Sequence, residues 1–182
     1  MDIYSKQSWI DNLSSLHKEL SEIKLEDYVQ YIGDNNFDNS IDKEWFVLEP
    51  GKDHYRLLAY ISQQVNNTKI LEVGALFGNS ALAFSLNPTN IIYSFDVQDR
   101  ISLKKIPSNL NFTQGNILDH PEIILTSRII LVDTWHHIDF ELAFFDFLKK
   151  YKYKGLVILD DITMTPEMLE WWNSIEQDKL DV

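Results

Sequence analysis

The stretch that decides the fold is Leu71–Ser80, LEVGALFGNS. Its leading apolar residues, continued upstream by Ile70, read as a strand, and NSALAFSL downstream reads as the opening of a helix. Gly74 and Gly78 therefore fall in a strand-to-helix turn. Glycines let the backbone turn tightly there and approach a ligand, and the following helix aims free N–H groups into the same space. In an open α/β sheet that is where ligands bind. Glu72 is the unusual member of the stretch: a carboxylate in that position repels a pyrophosphate and suits a cationic or amine-bearing ligand.

On both sides of this turn, strand and helix patterns alternate. The pattern predicts strands at about 69–74, 91–96, 110–113, 129–133 and 156–160, and helices at about 78–86, 140–151 and 166–176, with a weaker connection at 100–107. A further helix is expected in PGKDHYRLLAYISQQVNN, ahead of the first strand, where Tyr55, Leu58, Ile61 and Val65 recur at helical spacing. IILVD and LVILD are continuous apolar runs, so those strands are expected to be covered on both faces. The fold class that follows is α/β, a doubly wound, mostly parallel sheet. Upstream, Trp9, Ile10, Leu13, Leu16, Leu20 and Ile23 form an amphipathic pattern between Ser5 and Gly33. The turn-rich GDNNFDNSID separates this N-terminal helical appendage and linker, 1–50, from the main domain, 51–182.

Bulk composition narrows the partners. A chain of 182 residues with 45% hydrophobic and 13% aromatic residues has room for a sizeable core and is not disordered. A formal charge of −12 repels phosphate backbones and anionic membranes, which leaves a small molecule as the expected ligand. With no cysteine, disulfides, thiolate zinc sites and cysteine nucleophiles are excluded. No basic flank precedes an apolar run at the N-terminus, and no segment approaches the roughly 20 apolar residues of a membrane span. The expectation is a soluble, cytoplasmic protein.

Four predicted strands end in carboxylates: Glu72, Asp96, Asp133 and the pair Asp160-Asp161. Each alone is able to cap the next helix. In a parallel sheet, however, all the carboxyl ends lie on one edge, so together they gather around one crevice. The dinucleotide fingerprint G-x-G-x-x-G is absent, since the spacing here is Gly74-x-x-x-Gly78. Asp96, 24 residues after Glu72, ends the second strand where an acid accepts both hydroxyls of a ribose. Adenosine with a cationic tail fits this arrangement better than NAD does.

These residues carry a resemblance. EVGALFGNS, YSFD, GNILD, ILVDTWHH and VILDDI stand in the order of the motifs of class I S-adenosylmethionine-dependent methyltransferases, and the chain resembles that family over about 51–176. Within it the chain is most similar to the group containing macrocin-type O-methyltransferases and cephalosporin hydroxylase-like proteins, in which E-x-G-x-x-x-G-x-S, D-x-x-H and D-D recur. The resemblance implies a Rossmann-like sheet in the order 3-2-1-4-5. It implies that Gly74 and Gly78 approach the methionine part of the cofactor, that Glu72 and Ser80 help hold that region, that Asp96 binds the ribose and that Asn116 lies near the adenine. Asn116 reads equally well as a turn residue in QGNILD, and Ser80 as an early-helix residue.

Asp133, Asp160 and Asp161 are hard oxygen ligands suited to Mg²⁺ or another divalent cation, and the spacing also resembles that of catechol-type O-methyltransferases. In those enzymes an asparagine occupies the place of Asp161, so the substitution here adds negative charge. A cation at the strand ends makes an acceptor hydroxyl easier to deprotonate, and His136 or His137, three and four residues past Asp133, is placed to take the proton. The D-x-x-H match favours His136. His54, Tyr55 and Arg56 lie in a helix that resembles the one closing over the cofactor, with Arg56 read as a local ion-pair partner.

The leading expectation is therefore a metal-assisted O-methyltransferase acting on a small hydroxylated acceptor, a sugar or secondary metabolite. The resemblance breaks after DKLDV, where the family's last strands are expected and the apolar LVIL edge would otherwise be bare. That break keeps open a catalytically silent scaffold or partner subunit, and because fold does not fix function a metal-dependent hydroxylase-like enzyme is a further alternative. It also raises self-association through the fifth-strand edge or the N-terminal helix.

Overall fold

The computed structural model describes residues 16, 18–33, 41–48 and 51–180. The first half of the N-terminal amphipathic pattern and most of the turn-rich linker lie outside the described residues. Residues 18–22 are helical, and the chain then breaks at Ile23-Lys24 and continues as a 3-10 helix, Leu25–Tyr31, where one helix to Gly33 was expected. Next come α1 (Ile41–Val47), α2 (Gly51–Gln63), β1 (Lys69–Val73), α3 (Asn79–Ser85), β2 (Ile91–Asp96), β3 (Leu110–Gln114), α4 (Pro121–Thr126), β4 (Ile129–Val132), α5 (Asp139–Lys150), β5 (Leu156–Leu159) and α6 (Pro166–Ser174).

The five strands form one sheet in the order β3-β2-β1-β4-β5, every neighbour parallel. This is the Rossmann-like order expected, and the strand bounds agree within one residue because short apolar runs between turn residues leave little choice of register. Both faces are covered. On one, Ile70, Ile92, Ile129 and Leu131 pack with Leu58 and Ile61 of α2 and with α3. On the other, Leu71, Val73, Ile130 and Val132 pack with Ile124 of α4 and Phe144 and Leu148 of α5. Successive side chains of a strand alternate between the two clusters, which explains why IILV is apolar throughout.

Local rules fix the helices. Thr165 caps α6 by accepting from the Met168 amide at 3.2 Å, with Pro166 at the first helical position. Asp139 and Glu141 sit in the first turn of α5 and Lys149 and Lys150 in its last, matching the helix dipole. The N-terminal segment joins the same core: Leu20, Ile23, Leu25 and Ile32 share a cluster with α2 and α3. The connection at 100–107 is not helical. Leu103 pairs with Ile32 in an isolated antiparallel bridge, and the Lys104 amide donates to Tyr31 O at 2.7 Å.

Among the described residues β5 pairs with β4 alone. Its outer edge faces a cleft of about 750 Å³, lined in part by Leu57 and Ile61 of α2, Phe145 and Lys149 of α5, and Trp172 and Leu180. No helix among the described residues is long and apolar enough to cross a membrane.

Candidate functional site at the carboxyl edge of the sheet

The turn after β1 is held by β2. Gly74 and Ala75 donate to Phe95 O at 2.8 and 3.2 Å, the Leu76 amide donates to Asp96 Oδ2 at 2.9 Å, and Asp96 Oδ1 accepts from Gln98 N at 2.8 Å. Asp96 thus fastens its own turn to the neighbouring one, with the rest of its lone pairs left for a ligand. Gly74 has φ +97°, and a Cβ there would collide with the carbonyl oxygen of Asp133. At Gly78 (φ +93°) a Cβ would come within 3.1 Å of Ile101 and 3.3 Å of Leu103. The glycines are therefore required first by the protein's own close contacts, which adds a cause to the ligand approach expected from the sequence.

Glu72 is wholly buried, on the face of β1 that packs against α3. Ser94, opposite it on β2, donates its hydroxyl to Glu72 Oε2 at 2.5 Å, while Oε1 has no hydrogen-bond partner. Burial raises the Glu72 pKa to about 8. The Ser94 hydroxyl opposes the rise, Asp133 and Asp96 add to it, and the Ala81 amide opposes it. Nearby charges acting on this carboxylate are thus negative. Ser80 is buried in the first turn of α3. Asn116 lies at the carboxyl end of β3, where its side chain accepts from Leu118 N at 3.0 Å and caps a short 3-10 helix, the turn role that the sequence also allowed.

Across β1, the end of β4 brings three acids to one histidine. His136 is 4% exposed, with φ +53°, and neither ring nitrogen has a hydrogen bond. Its Nε2 lies 3.8 Å from Asp133 Oδ1 and 3.8 Å from Asp161 Oδ2, and its Nδ1 lies 3.5 Å from Glu141 Oε1. Asp133, then Glu141, raise the His136 pKa to about 9 against the effect of burial. Glu141 is pushed up by burial, but His136 and Thr134, whose hydroxyl donates to Oε1 at 2.6 Å, bring it below its ordinary value. The carboxylates thus favour the protonated form of the ring that the sequence offered as a base. His137 is exposed.

Asp133 and Asp160 come together, as the sequence led one to expect. The third group beside them is His54 of α2, whose Nδ1 is 3.5 Å from Asp160 Oδ2; one ligand atom from each of the three lies within 4.8 Å of the others. Asp161 donates its amide to Asp160 Oδ1 at 3.0 Å, has φ +48°, and turns its exposed carboxylate toward His136. Burial raises the Asp160 pKa; His54 opposes this and Asp133 adds to it. Arg56 pairs with Asp53 at 3.8 Å and donates to Ile23 O at 3.3 Å, a local structural role. Around the crevice Leu76, Val97, Trp135 and Met164, each just past a different strand, stand exposed as an apolar rim.

Two of these groups escape sequence reasoning. Glu141 carried a signal, since it shares the buried helical stripe with Phe144 and Leu148, where a carboxylate needs a partner. His54 stood in the sequence only within the helix resembling one that closes over the cofactor, with nothing to set it beside the acids.

No protein-family model matches the chain, and no curated protein matches it. Solved structures similar to it include the O-methyltransferase from Bacillus cereus in complex with SAH, at 17% identity, 94% of this chain, 77% of that one and a TM-score of 0.47. Also similar are coclaurine N-methyltransferase with N-methylheliamine and SAH (15% identity, 85% and 51%, 0.45) and MycE methyltransferase of mycinamycin biosynthesis with Mg and SAH (17%, 70% and 40%, 0.43). The chain thus spans about half or less of the last two proteins. At these values the likeness decides nothing about chemistry, which rests on the side chains.

Proposed function

We propose that the chain is an S-adenosylmethionine-dependent, divalent-metal-assisted O-methyltransferase of the macrocin-like group, acting on a small hydroxylated acceptor. The observation that carries this reading is Glu72: a buried carboxylate with one oxygen unbonded, under negative neighbours, beside a glycine turn that faces the ligand edge of the sheet. Burial and negative neighbours favour the protonated acid, a ligand bearing positive charge shifts Glu72 toward the carboxylate, and a pyrophosphate does the opposite. Asp96 and the Leu76 turn take the ribose side, and the exposed apolar rim suits an adenine ring and an acceptor skeleton.

S-adenosylmethionine supplies an electrophilic methyl group on a sulfonium, and a divalent cation lowers the pKa of a neighbouring hydroxyl. The residues that fit a cation are Asp133 and Asp160, half-buried carboxylates that lie close together and strain against one another. His136 and Asp133 handle the acceptor's proton: Nε2 takes it up once the ring has lost its own, and Glu141 and Thr134 fix the ring from behind. Because the neighbouring carboxylates favour the protonated ring, methyl transfer is expected to accelerate as pH rises.

Calorimetric titration of S-adenosylmethionine into the purified chain, with and without Mg²⁺ and with NAD as control, tests the reading. Saturable binding that weakens in Glu72→Gln supports it. A folded chain that binds neither alone nor with Mg²⁺ returns the domain to the silent-scaffold alternative.

A further inference from the structure

The acid pair at the ends of β4 and β5 is not closed by a third acid. Helix α2 is packed into the core through Leu58, Ala59 and Ile61, and this anchoring carries its first turn, with His54, to the carboxyl edge. Tyr55 and Phe46 brace that turn, with ring centroids 5.0 Å apart, and the His54 ring meets Tyr55 edge-on at 5.0 Å. His54 Nδ1 faces Asp160 Oδ2 at 3.5 Å, too long for a hydrogen bond. Ligand atoms about 2.1 Å from one ion stand about 3–4.2 Å apart, so a set spread over at most 4.8 Å closes on an ion with small side-chain movements.

A second observation points into the same place. His136 is buried, lacks a hydrogen bond on either nitrogen, and brings Nε2 to 3.8 Å from both Asp133 Oδ1 and Asp161 Oδ2, at the edge of the His54 cluster. A buried imidazole behind a carboxylate is the arrangement that orients metal-ligating groups from outside the first layer.

We propose that His54, with Asp133 and Asp160, forms a mixed imidazole–carboxylate centre that selects a first-row transition ion of the Mn²⁺ type over Mg²⁺, with Asp161 outside the ligand set. The inference rests on the metal-assisted reading above and changes both its third ligand and its metal class. Its chemical basis is the mixed donor set: carboxylates suit both Mg²⁺ and Mn²⁺, while an imidazole nitrogen adds affinity along the transition series, least for Mn²⁺, and little for Mg²⁺. Because His54 belongs to α2 and the acids to β4 and β5, the ion also ties the helix that precedes the sheet to the far strands.

The test titrates Mn²⁺ into the full chain and reads bound ion by electron paramagnetic resonance, with Mg²⁺ as competitor, in the presence and absence of S-adenosylmethionine. The wild type is expected to hold one Mn²⁺ that an equal concentration of Mg²⁺ does not displace, with hyperfine coupling to one nitrogen. In His54→Ala the coupling disappears and affinity falls about tenfold or more. In His54→Asp, which restores a ligand as oxygen, binding returns and the preference for Mn²⁺ over Mg²⁺ collapses. Asp161→Asn stays within about threefold of wild type. Nitrogen coupling that survives in His54→Ala overturns the inference, as does loss of the ion in Asp161→Asn or a folded wild type that binds no Mn²⁺. S-adenosylmethionine binding in the same samples reports separately on the methyltransferase reading, which stands if cofactor binds and His54 proves irrelevant.

Discussion

The two ends of the sheet are both polar, yet they are built in opposite ways. At the amino end, Asn90 is fully buried and fully engaged: it accepts from Thr68 N at 3.1 Å and donates to Ser62 O at 2.8 Å and Ser62 Oγ at 3.0 Å. Ser62 donates in turn to Phe84 O at 2.6 Å, Asn87 donates to Val65 O at 2.7 Å, and Asn109 donates to Asn90 O at 3.2 Å. At the carboxyl end, Glu72, His136 and Glu141 each bury an atom without a hydrogen bond. Satisfied polar networks fasten elements together, whereas unsatisfied buried groups mark the edge proposed to take a ligand. One end serves stability and the other serves chemistry.

The largest effect is expected at the satisfied end. Asn90→Ala leaves the Thr68 amide and the Ser62 oxygens without their partner and should lower the unfolding free energy by about 2–3 kcal/mol, read by urea denaturation. Asp96→Ala should weaken S-adenosylmethionine binding about tenfold or more, close to 1.4 kcal/mol by calorimetry, because both the ribose acceptor and the Leu76 anchor are lost. A stability loss there equal to that of Asn90→Ala would break the contrast.

Glu72→Gln sharpens it through pH. Glu72 stays protonated in the fold to about pH 8, whereas the unfolded chain ionises it near 4.5, so the folded state holds the extra proton between those values. Its contribution to stability is whole below 4.5 and is lost as pH rises through 8. The variant should therefore lose less stability than wild type between pH 5 and 9, seen as a flatter pH profile in parallel urea titrations. The smallest effect belongs to the rim: Trp135, 68% exposed, should be replaceable by Ser within about 0.5 kcal/mol of stability, while acceptor or cofactor affinity falls.

The sheet was legible because its information is local. Five apolar runs bounded by turn residues set five strands, and an acid at each of four strand ends marked the common edge. What depends on distant contacts was not legible. Residues 41–47 follow a run of Asn and Asp that reads as linker, yet Phe46 is fully buried against Tyr55 and the segment is helical. The connection at 100–107 carries too few periodic residues to declare itself, and its backbone is set by pairing with Tyr31 and Ile32. At the site, Asp133 and Asp160 were readable as strand ends. The approach of the exposed Asp161 carboxylate to His136 goes with its positive φ, and the arrival of His54 depends on how α2 packs.

Gly74 and the Asp133 carbonyl meet with no side chain between them, at the point where the β1 turn passes the β4 turn. In the proposed function one turn lines the half of the crevice for the methyl donor, and the other the half for the acceptor. The span between the two half-sites is thus a dimension of the folded chain, gauged by the thickness of two peptide backbones. Reach between donor and acceptor is then tuned from outside, by residues that bulge from the rim, and not by drawing the two turns nearer or farther.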